Sequence, residues 1–249
     1  MARLTVIFWS CAAVAAAGCG KPDPKDRFQR PETITDFTTL YNTNCQGCHG
    51  PDGRMGPAPP LNDALFLAIV PDAELHKVIR EGRKGTLMPG FIGRHGDSQA
   101  RLAKGPIIGT GMLTEKQIDI VVKGMRKAWG TKVDGALPRY LDGAAVKKDL
   151  AGADLANGKA VFAQACASCH GDKGQGTKSA GAINQPAFLS LVSDQLLRRI
   201  IITGRPDLGM PNYQENAGDM SANDIRDLGG LLNSWRNSSG NGGKNGSKR

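Results

Sequence analysis

Apolar and polar positions follow a similar order in the two halves of the chain, and this order predicts helices. The four clearest segments form two pairs: Glu32–Asn44 with Asp72–Glu81, and Asp154–Ala165 with Asp194–Thr203. Gly82 and Gly204 directly follow the second helix of each pair, and a glycine often ends a helix. We therefore expect each half to contain an equivalent pair of helices.

A further helix is predicted near the end of each half. Thr114, with Gln117 three residues later, fits the capping box that opens many helices. Ser221 opens the counterpart helix in the second half. Each start leads into an apolar stripe with helical spacing, formed by Ile118, Val121, Val122, Met125 and Trp129 in the first half and by Ile225, Leu228, Leu232 and Trp235 in the second.

The repetition extends to individual residues. Residues 65–91 match residues 187–213 without a gap, with identical pairs that include Phe66/Phe188, Asp72/Asp194, Ile79/Ile201, Gly82/Gly204, Arg83/Arg205, Met88/Met210 and Pro89/Pro211. We interpret the halves as two copies of one domain, at residues 32–129 and 153–236. Residues 130–152 contain Gly, Pro and mixed charges without a sustained period, so they are interpreted as a linker across the domain interface.

The two ends of the chain carry other signals. Residues 1–18 combine a positive start with an apolar run that is short for a membrane span, which predicts a secretory signal peptide. The residues before Cys19 resemble the lipidation signal of bacterial lipoproteins, so we predict a lipid on Cys19 and a tether at 19–31. Ordinary signal-peptidase cleavage is the alternative and would leave an unpaired thiol. Residues 237–249 are predicted to be a disordered basic tail.

The net charge of the chain indicates which kinds of partner it can bind. The chain of 249 residues has a formal net charge of +9 at pH 7, which favours partners with acidic docking surfaces. Nucleic acid is not expected as a partner, because the exported sequence has no recognition motif or basic helix. The predicted location is the periplasmic or cell-surface side of a bacterial membrane, with attachment through Cys19.

Two cysteine motifs carry the candidate chemistry. Residues 45–49 and 166–170 both read Cys-x-x-Cys-His, the attachment signature of c-type haem. Two thiols one helical turn apart can bond the two vinyl groups of a haem, and the adjacent His then reaches the iron. Two covalent haem c groups are thus predicted, attached by Cys45, Cys48, Cys166 and Cys169, with His49 and His170 as axial ligands. A zinc half-site or redox dithiol would suit one isolated Cys pair, but the repeated His disfavours both.

Each half also offers a second ligand for its iron. Met88 and Met210 occupy the same place in the repeat, and the Pro after each keeps the chain out of a helix, so that a loop can present the thioether. A Met in the sixth position raises the reduction potential of a haem. His95, in a loop shortly after Met88, is the rival ligand, and His76 is interpreted as a solvated side chain. The remaining candidates have no counterpart in the other half: Met55, Met112, Met125 and Met220.

With these motifs each half resembles a class I cytochrome c domain. The resemblance implies an all-α fold made of two tandem domains, each wrapped around one covalently attached haem. The glycine that lets the first and last helices of such a domain cross closely is Gly158 in the second half. The first half has Phe37 instead, so a looser crossing is expected there.

Two further departures concern the loops. A Pro carbonyl often supports the axial His in this family, but residues 180–182 of the second half are Ala-Gly-Ala where the first half has Pro57, Pro59 and Pro60. The partner of His170 is therefore left open. The first half also carries an extra loop after Met88, and such loops often hold partner contacts.

Three functional hypotheses follow. The first is a di-haem electron-transfer protein that carries single electrons between redox partners outside the cytoplasm and has no catalytic residue of its own. The second is a di-haem enzyme of the peroxidase or thiosulfate dehydrogenase type, which needs an open position at iron, whereas a Met stands at that position in both halves. The third is a cytochrome subunit of a membrane oxidoreductase or terminal oxidase, which differs from the first in having a permanent partner.

Overall fold

Helix caps and glycines divide this chain into short helices joined by tight loops. The computed structural model describes residues 30–83, 86–92, 113–215 and 220–240, with side chains up to residue 236. The predicted signal peptide, Cys19 and His95 lie outside the described residues. Residues up to Ile34 belong to a separate unit, in which Pro31–Thr33 form a 3-10 turn. Residues from Thr35 onward form one unit that includes both halves.

The same helices occur in both halves. The first half contains α1 (Phe37–Asn44), α2 (Gln46–His49), α3 (Ala64–Ile69), α4 (Asp72–Glu81) and α5 (Glu115–Trp129). After α6 (Gly143–Leu150), the second half contains α7 (Leu155–Ala165), α8 (Ala167–His170), α9 (Pro186–Leu191), α10 (Asp194–Thr203) and α11 (Ala222–Gly240). Between these elements the described residues form isolated β-bridges and no strand. The predicted all-α fold is confirmed.

Local chemistry explains the helix boundaries. α4 and α10 have the predicted bounds, and Gly82 and Gly204 follow them with positive φ angles of 72° and 65°. The Thr114 hydroxyl and the Gln117 side chain make both bonds of the predicted capping box of α5. α1 begins later than predicted, because the Asp36 carboxylate accepts the Thr39 N–H at 2.7 Å and so caps the helix there.

The first and last helices of each half are in contact, and a glycine makes room at each crossing. This glycine lies on the first helix in the second half and on the last helix in the first half. In the second half, a Cβ on Gly158 of α7 would lie 2.4 Å from the Asp227 carbonyl oxygen of α11. In the first half, the ring of Phe37 on α1 covers Gly124 of α5, where a Cβ would lie 2.2 Å from a ring carbon. The expectation of a looser crossing considered only Phe37 and did not include Gly124. On α5, Gly124 supplies the space that the Phe37 ring fills.

A tryptophan near the end of the last helix holds the attachment segment in each half. The Trp129 ring packs edge-on against Tyr41, with 5.1 Å between centroids, and Trp235 packs in the same way on Phe162 at 5.2 Å. A Cβ on Gly174 would lie 2.6 Å from the Trp235 ring. Because the loop after the Cys motif passes this close to an indole, α11 fixes the position of that loop, and α5 does the same in the first half.

An arginine of the last helix repeats one set of contacts in both halves. Arg126 of α5 donates to the carbonyls of Leu67 and Val70 and pairs with Asp72. Arg236 of α11 makes the equivalent set with Leu189, Val192 and Asp194. The sequence repeat did not predict these residues as equivalent, because the loops before α5 and α11 differ in length.

The segment predicted as a linker is packed against the second half. It contains α6, whose Val146 is fully buried, and the Tyr213 hydroxyl donates to the Ala136 carbonyl at 2.9 Å. Leu65 of α3 also belongs to the buried core of the second half, so the two halves share apolar contacts. α11 continues to Gly240, into the predicted tail. None of the helices in the described ranges is long and apolar enough to cross a membrane.

Candidate haem-binding sites

The two cysteine motifs fold into single helical turns with the same geometry. In α2 the His49 N–H donates to the Cys45 carbonyl at 3.0 Å, and in α8 the His170 N–H donates to the Cys166 carbonyl at 2.9 Å. The two cysteines of each motif are three residues apart and thus share a helix face. All four described cysteines are free thiols: Cys45, Cys48, Cys166 and Cys169. Each turn brings two thiols and one imidazole together.

The environment of the first thiol in each motif differs from that of a redox dithiol. Burial, reinforced by the neighbouring thiol, raises the pKa of Cys45 to about 12 and that of Cys166 to about 11. Redox-active Cys-x-x-Cys motifs instead have a first cysteine with a lowered pKa. The raised pKa values of the two first cysteines therefore disfavour a redox dithiol at either motif.

Burial favours the neutral imidazole of His49, and one backbone carbonyl orients its ring. Its side chain is buried, and Nδ1 lies 2.9 Å from the Pro59 carbonyl oxygen. Burial lowers the pKa of His49, an effect that the hydrogen bond to Pro59 opposes and the nearby Arg199 charge reinforces. With the proton on Nδ1, the Nε2 lone pair is available to a metal. Within the described residues no hydrogen bond engages Nε2.

The Nδ1 partner of His170, which the sequence left open, is a backbone carbonyl. Nδ1 of His170 lies 3.0 Å from the Gly181 carbonyl oxygen, and Gly181 stands where the first half has Pro59. The loop is closed by the Gly176 N–H, which donates to the His170 carbonyl at 2.7 Å, and by the Thr177 N–H, which donates to Ala180 at 2.9 Å. Because the acceptor is a backbone atom, a proline is not required for this support.

The two predicted methionine ligands lie in loops that fold back on a helix end. The Arg83 N–H donates to the Met88 carbonyl at 3.0 Å, and Arg205 and Met210 exchange two backbone hydrogen bonds of 3.0 Å. Both methionines are partly buried. A Cβ on Gly82 would lie 2.6 Å from the Met88 carbonyl oxygen, so the loop needs glycine there. Coordination by these two thioethers stays a prediction.

The other candidate ligands have different surroundings. Met125 and Met220 are buried in the apolar cores, and Met55 is exposed. His76 was expected to be a solvated side chain, but its Nε2 lies 2.8 Å from an Asp119 carboxylate oxygen of α5. The extra loop of the first half lies outside the described residues, and the residues on its two sides are joined by the Leu113 N–H, which donates to the Phe91 carbonyl at 3.0 Å.

The residues present fit haem c in both halves. Each half supplies two free thiols on one helix face, an imidazole oriented by a carbonyl at Nδ1, and a thioether in a glycine-bounded loop. In cytochromes c the two thiols bond the haem vinyl groups, and imidazole and thioether are the iron ligands. The fold and the two sites thus define a c-type cytochrome with two covalently bound haem c groups.

Comparison with known proteins identifies the family. The chain matches the family described as cytochrome c oxidase, cbb3-type, subunit III, over residues 32–104 and 153–230. These two stretches make up more than half of the chain, and the chain belongs to this family.

Two curated relatives carry the same family description in their names. The cbb3-type cytochrome c oxidase subunit CcoP of Azospirillum sp. (strain B510) is 27% identical over 164 residues, which cover 63% of this chain and 47% of that protein. The subunit CcoP of Cereibacter sphaeroides is 30% identical over 148 residues, 58% of this chain and 42% of that protein. The chain therefore spans less than half the length of these relatives. Of the three functional hypotheses, this similarity favours the cytochrome subunit of a terminal oxidase over the separate carrier.

Proposed function

We propose that this chain is the electron-transfer subunit of a membrane-bound cytochrome c oxidase. It would accept single electrons from a donor and pass them through two haem c groups to the subunit that reduces oxygen. The observation that carries the proposal is the family match to both halves, each of which holds a complete set of haem donors. Both relatives are named as subunits of cbb3-type cytochrome c oxidases.

Within this function the residues have distinct roles. We assign Cys45 and Cys48, and likewise Cys166 and Cys169, to thioether bonds that fix each haem to its helical turn. His49 and His170 would be the proximal ligands, and their Nδ1–H bonds to Pro59 and Gly181 would keep the imidazole rings oriented. Met88 and Met210 would close the distal positions. Haem c supplies an iron that accepts and releases one electron at a time.

The proposal assigns no catalytic residue to the chain. With both distal positions closed by thioethers, neither site would bind oxygen or peroxide. The chain would act outside the cytoplasm, held at the membrane by a lipid on Cys19 and by the other oxidase subunits. Its positive net charge of +9 suits an electron donor with an acidic docking surface.

The test is to isolate the full chain from membranes of its own bacterium in a mild detergent, with an affinity tag at the C-terminus. We expect it to sediment with membranes and to migrate together with cytochrome c oxidase activity. A Cys19→Ser variant is the control that separates the lipid anchor from subunit contacts, and it should stay with the oxidase even if anchoring weakens. A chain that migrates alone, while oxidase activity migrates elsewhere, would contradict the proposed function and favour a separate carrier.

A further inference from the structure

One helix of the second half contacts both ligand-bearing loops of the first half. Gln195 and Arg199 of α10 are four residues apart and therefore lie on one helix face. We call them the α10 clamp. In the first half the equivalent positions on α4 are Ala73 and Lys77, and both are exposed. The contact is thus one-sided: the second half supports the first haem site, and α4 does not return this support.

Arg199 reaches the proximal side of the first site. Its guanidinium donates to the Pro60 carbonyl and lies 3.5 Å from the centroid of the Phe66 ring. Pro60 directly follows Pro59, whose carbonyl oxygen is 2.9 Å from His49 Nδ1. Arg199 therefore restrains the peptide segment that orients the proximal imidazole.

Gln195 reaches the distal side of the same site. Its Oε1 accepts a hydrogen bond from Arg83 Nη1 at 2.7 Å, and the Arg83 N–H donates to the Met88 carbonyl at 3.0 Å. The Gln195 amide is itself fixed, because Nε2 donates to the Tyr140 hydroxyl at 2.9 Å and to the Leu141 carbonyl at 3.0 Å. Gln195 thus connects the packed linker to the loop that carries the predicted distal ligand.

Arg199 also brings a charge close to the first site. Burial lowers the pKa of Arg199 to about 9, with attraction from Asp63 opposing this and repulsion from Arg83 and Arg205 adding to it. The guanidinium therefore stays positive at neutral pH. A fixed positive charge in a poorly solvated position stabilises the form of a nearby redox centre that holds one more electron.

We propose that the α10 clamp is a positioning site through which the second half holds both axial-ligand loops of the first haem and raises the reduction potential of that haem. This inference rests on the proposed ligation of the first haem by His49 and Met88. It makes the two haems unequal although their ligand sets are the same. A chain with the first half alone would lose this support.

The test uses the full chain with both haems and measures both reduction potentials by a spectroscopic redox titration. Met88→Ala and Met210→Ala first assign each potential to its haem. Arg199→Met should lower the reduction potential of the first haem and leave that of the second unchanged. Arg199→Lys retains the charge, so it should lower the potential of the first haem much less. Lys77→Met removes a charge at the equivalent, exposed position of α4 and is the matched control, with no shift expected in either potential.

Gln195→Ala tests the distal arm and keeps the proposal testable if Arg199→Met does not fold. It should weaken the Met88 bond, so that cyanide binds the oxidised first haem more tightly than in the unchanged chain, with no change at the second haem. Unchanged potentials in Arg199→Met, equal shifts of both haems, or unchanged cyanide binding in Gln195→Ala would each overturn the proposal. If Met88→Ala alters neither haem, the proposed ligation is wrong. Failure of the oxidase assignment would leave these potentials unaffected, since they are measured on the isolated chain.

Discussion

Two backbone carbonyls orient the imidazoles of His49 and His170, the two predicted proximal ligands. The Pro59 and Gly181 oxygens lie 2.9 Å and 3.0 Å from the Nδ1 atoms of His49 and His170. Each bond favours the tautomer with the proton on Nδ1 and so leaves the Nε2 lone pair available for the predicted bond to iron. Any residue can supply a carbonyl, which is why the sequence shows this function less clearly than the cysteines and histidines. The residue at this position needs only a backbone conformation that brings its carbonyl oxygen to Nδ1.

Gly176 and Gly181 test this point as a matched pair in the same loop. A Cβ on Gly181 would meet nothing within 4 Å, whereas Gly176 has a positive φ of 88° and a Cβ there would lie 2.7 Å from the Ala182 nitrogen. Gly181→Ala should therefore keep the carbonyl in place and raise the free energy of unfolding by about 0.4–1 kcal/mol. Gly176→Ala should lower it by roughly 1–3 kcal/mol.

The measurement is thermal unfolding of the full chain with haem, together with the absorption spectrum of the second haem. Only Gly176→Ala should perturb that spectrum, because it displaces the loop that carries the Gly181 carbonyl. Equal damage from both substitutions would mean that the side chain at 181, rather than its carbonyl, matters.

At the scale of helices, caps were predictable and packing was not. The bounds of α4 and α10 follow from their terminal glycines, and that of α5 from its capping box. α6 was missed because its eight residues show no clear apolar period, and the helix is stabilised mainly by its contacts with α10 and α11. The partner that accommodates Phe37 was missed for a similar reason, because Gly124 lies on another helix far along the chain.

A double-mutant cycle tests the exchange between Phe37 and Gly124. Gly124→Ala alone should lower the free energy of unfolding by roughly 1–3 kcal/mol, because the new methyl group overlaps the Phe37 ring. Phe37→Ala removes the ring and the overlap, so the two substitutions combined should destabilise less than their sum by about 1 kcal/mol or more. Denaturant unfolding of the four chains gives this coupling energy.

Gly143→Ala is the control for this cycle. Gly143 is the first residue of α6, and a Cβ there would meet nothing within 4 Å, so this substitution should not destabilise the chain. Strict additivity of Phe37→Ala and Gly124→Ala would show that the two residues do not share the helix crossing.

At the scale of the whole molecule, the second half does more than repeat the first. It shares its core with Leu65 of α3, carries the packed linker, and contacts both ligand loops of the first site through the α10 clamp. The all-α class and the binding of two haem c groups were predictable, because helix patterns are visible in the sequence and covalent attachment requires specific side chains at fixed spacing. The contacts between the halves involve residues such as Gln195 and Arg199 that differ from their counterparts in the repeat, so a repeat pattern could not show them.

Closure of both irons by Met88 and Met210 is the central claim of the proposed electron-transfer function. The direct measurement is the long-wavelength Met-to-iron absorption band of the oxidised full chain, compared with Met88→Ala and Met210→Ala. We expect both haems to contribute to the band, each variant to lose about half of it, and the reduced unchanged chain to resist carbon monoxide, because a thioether occupies each distal position. A variant that keeps the full band, or carbon monoxide binding to either haem of the unchanged chain, would contradict the account.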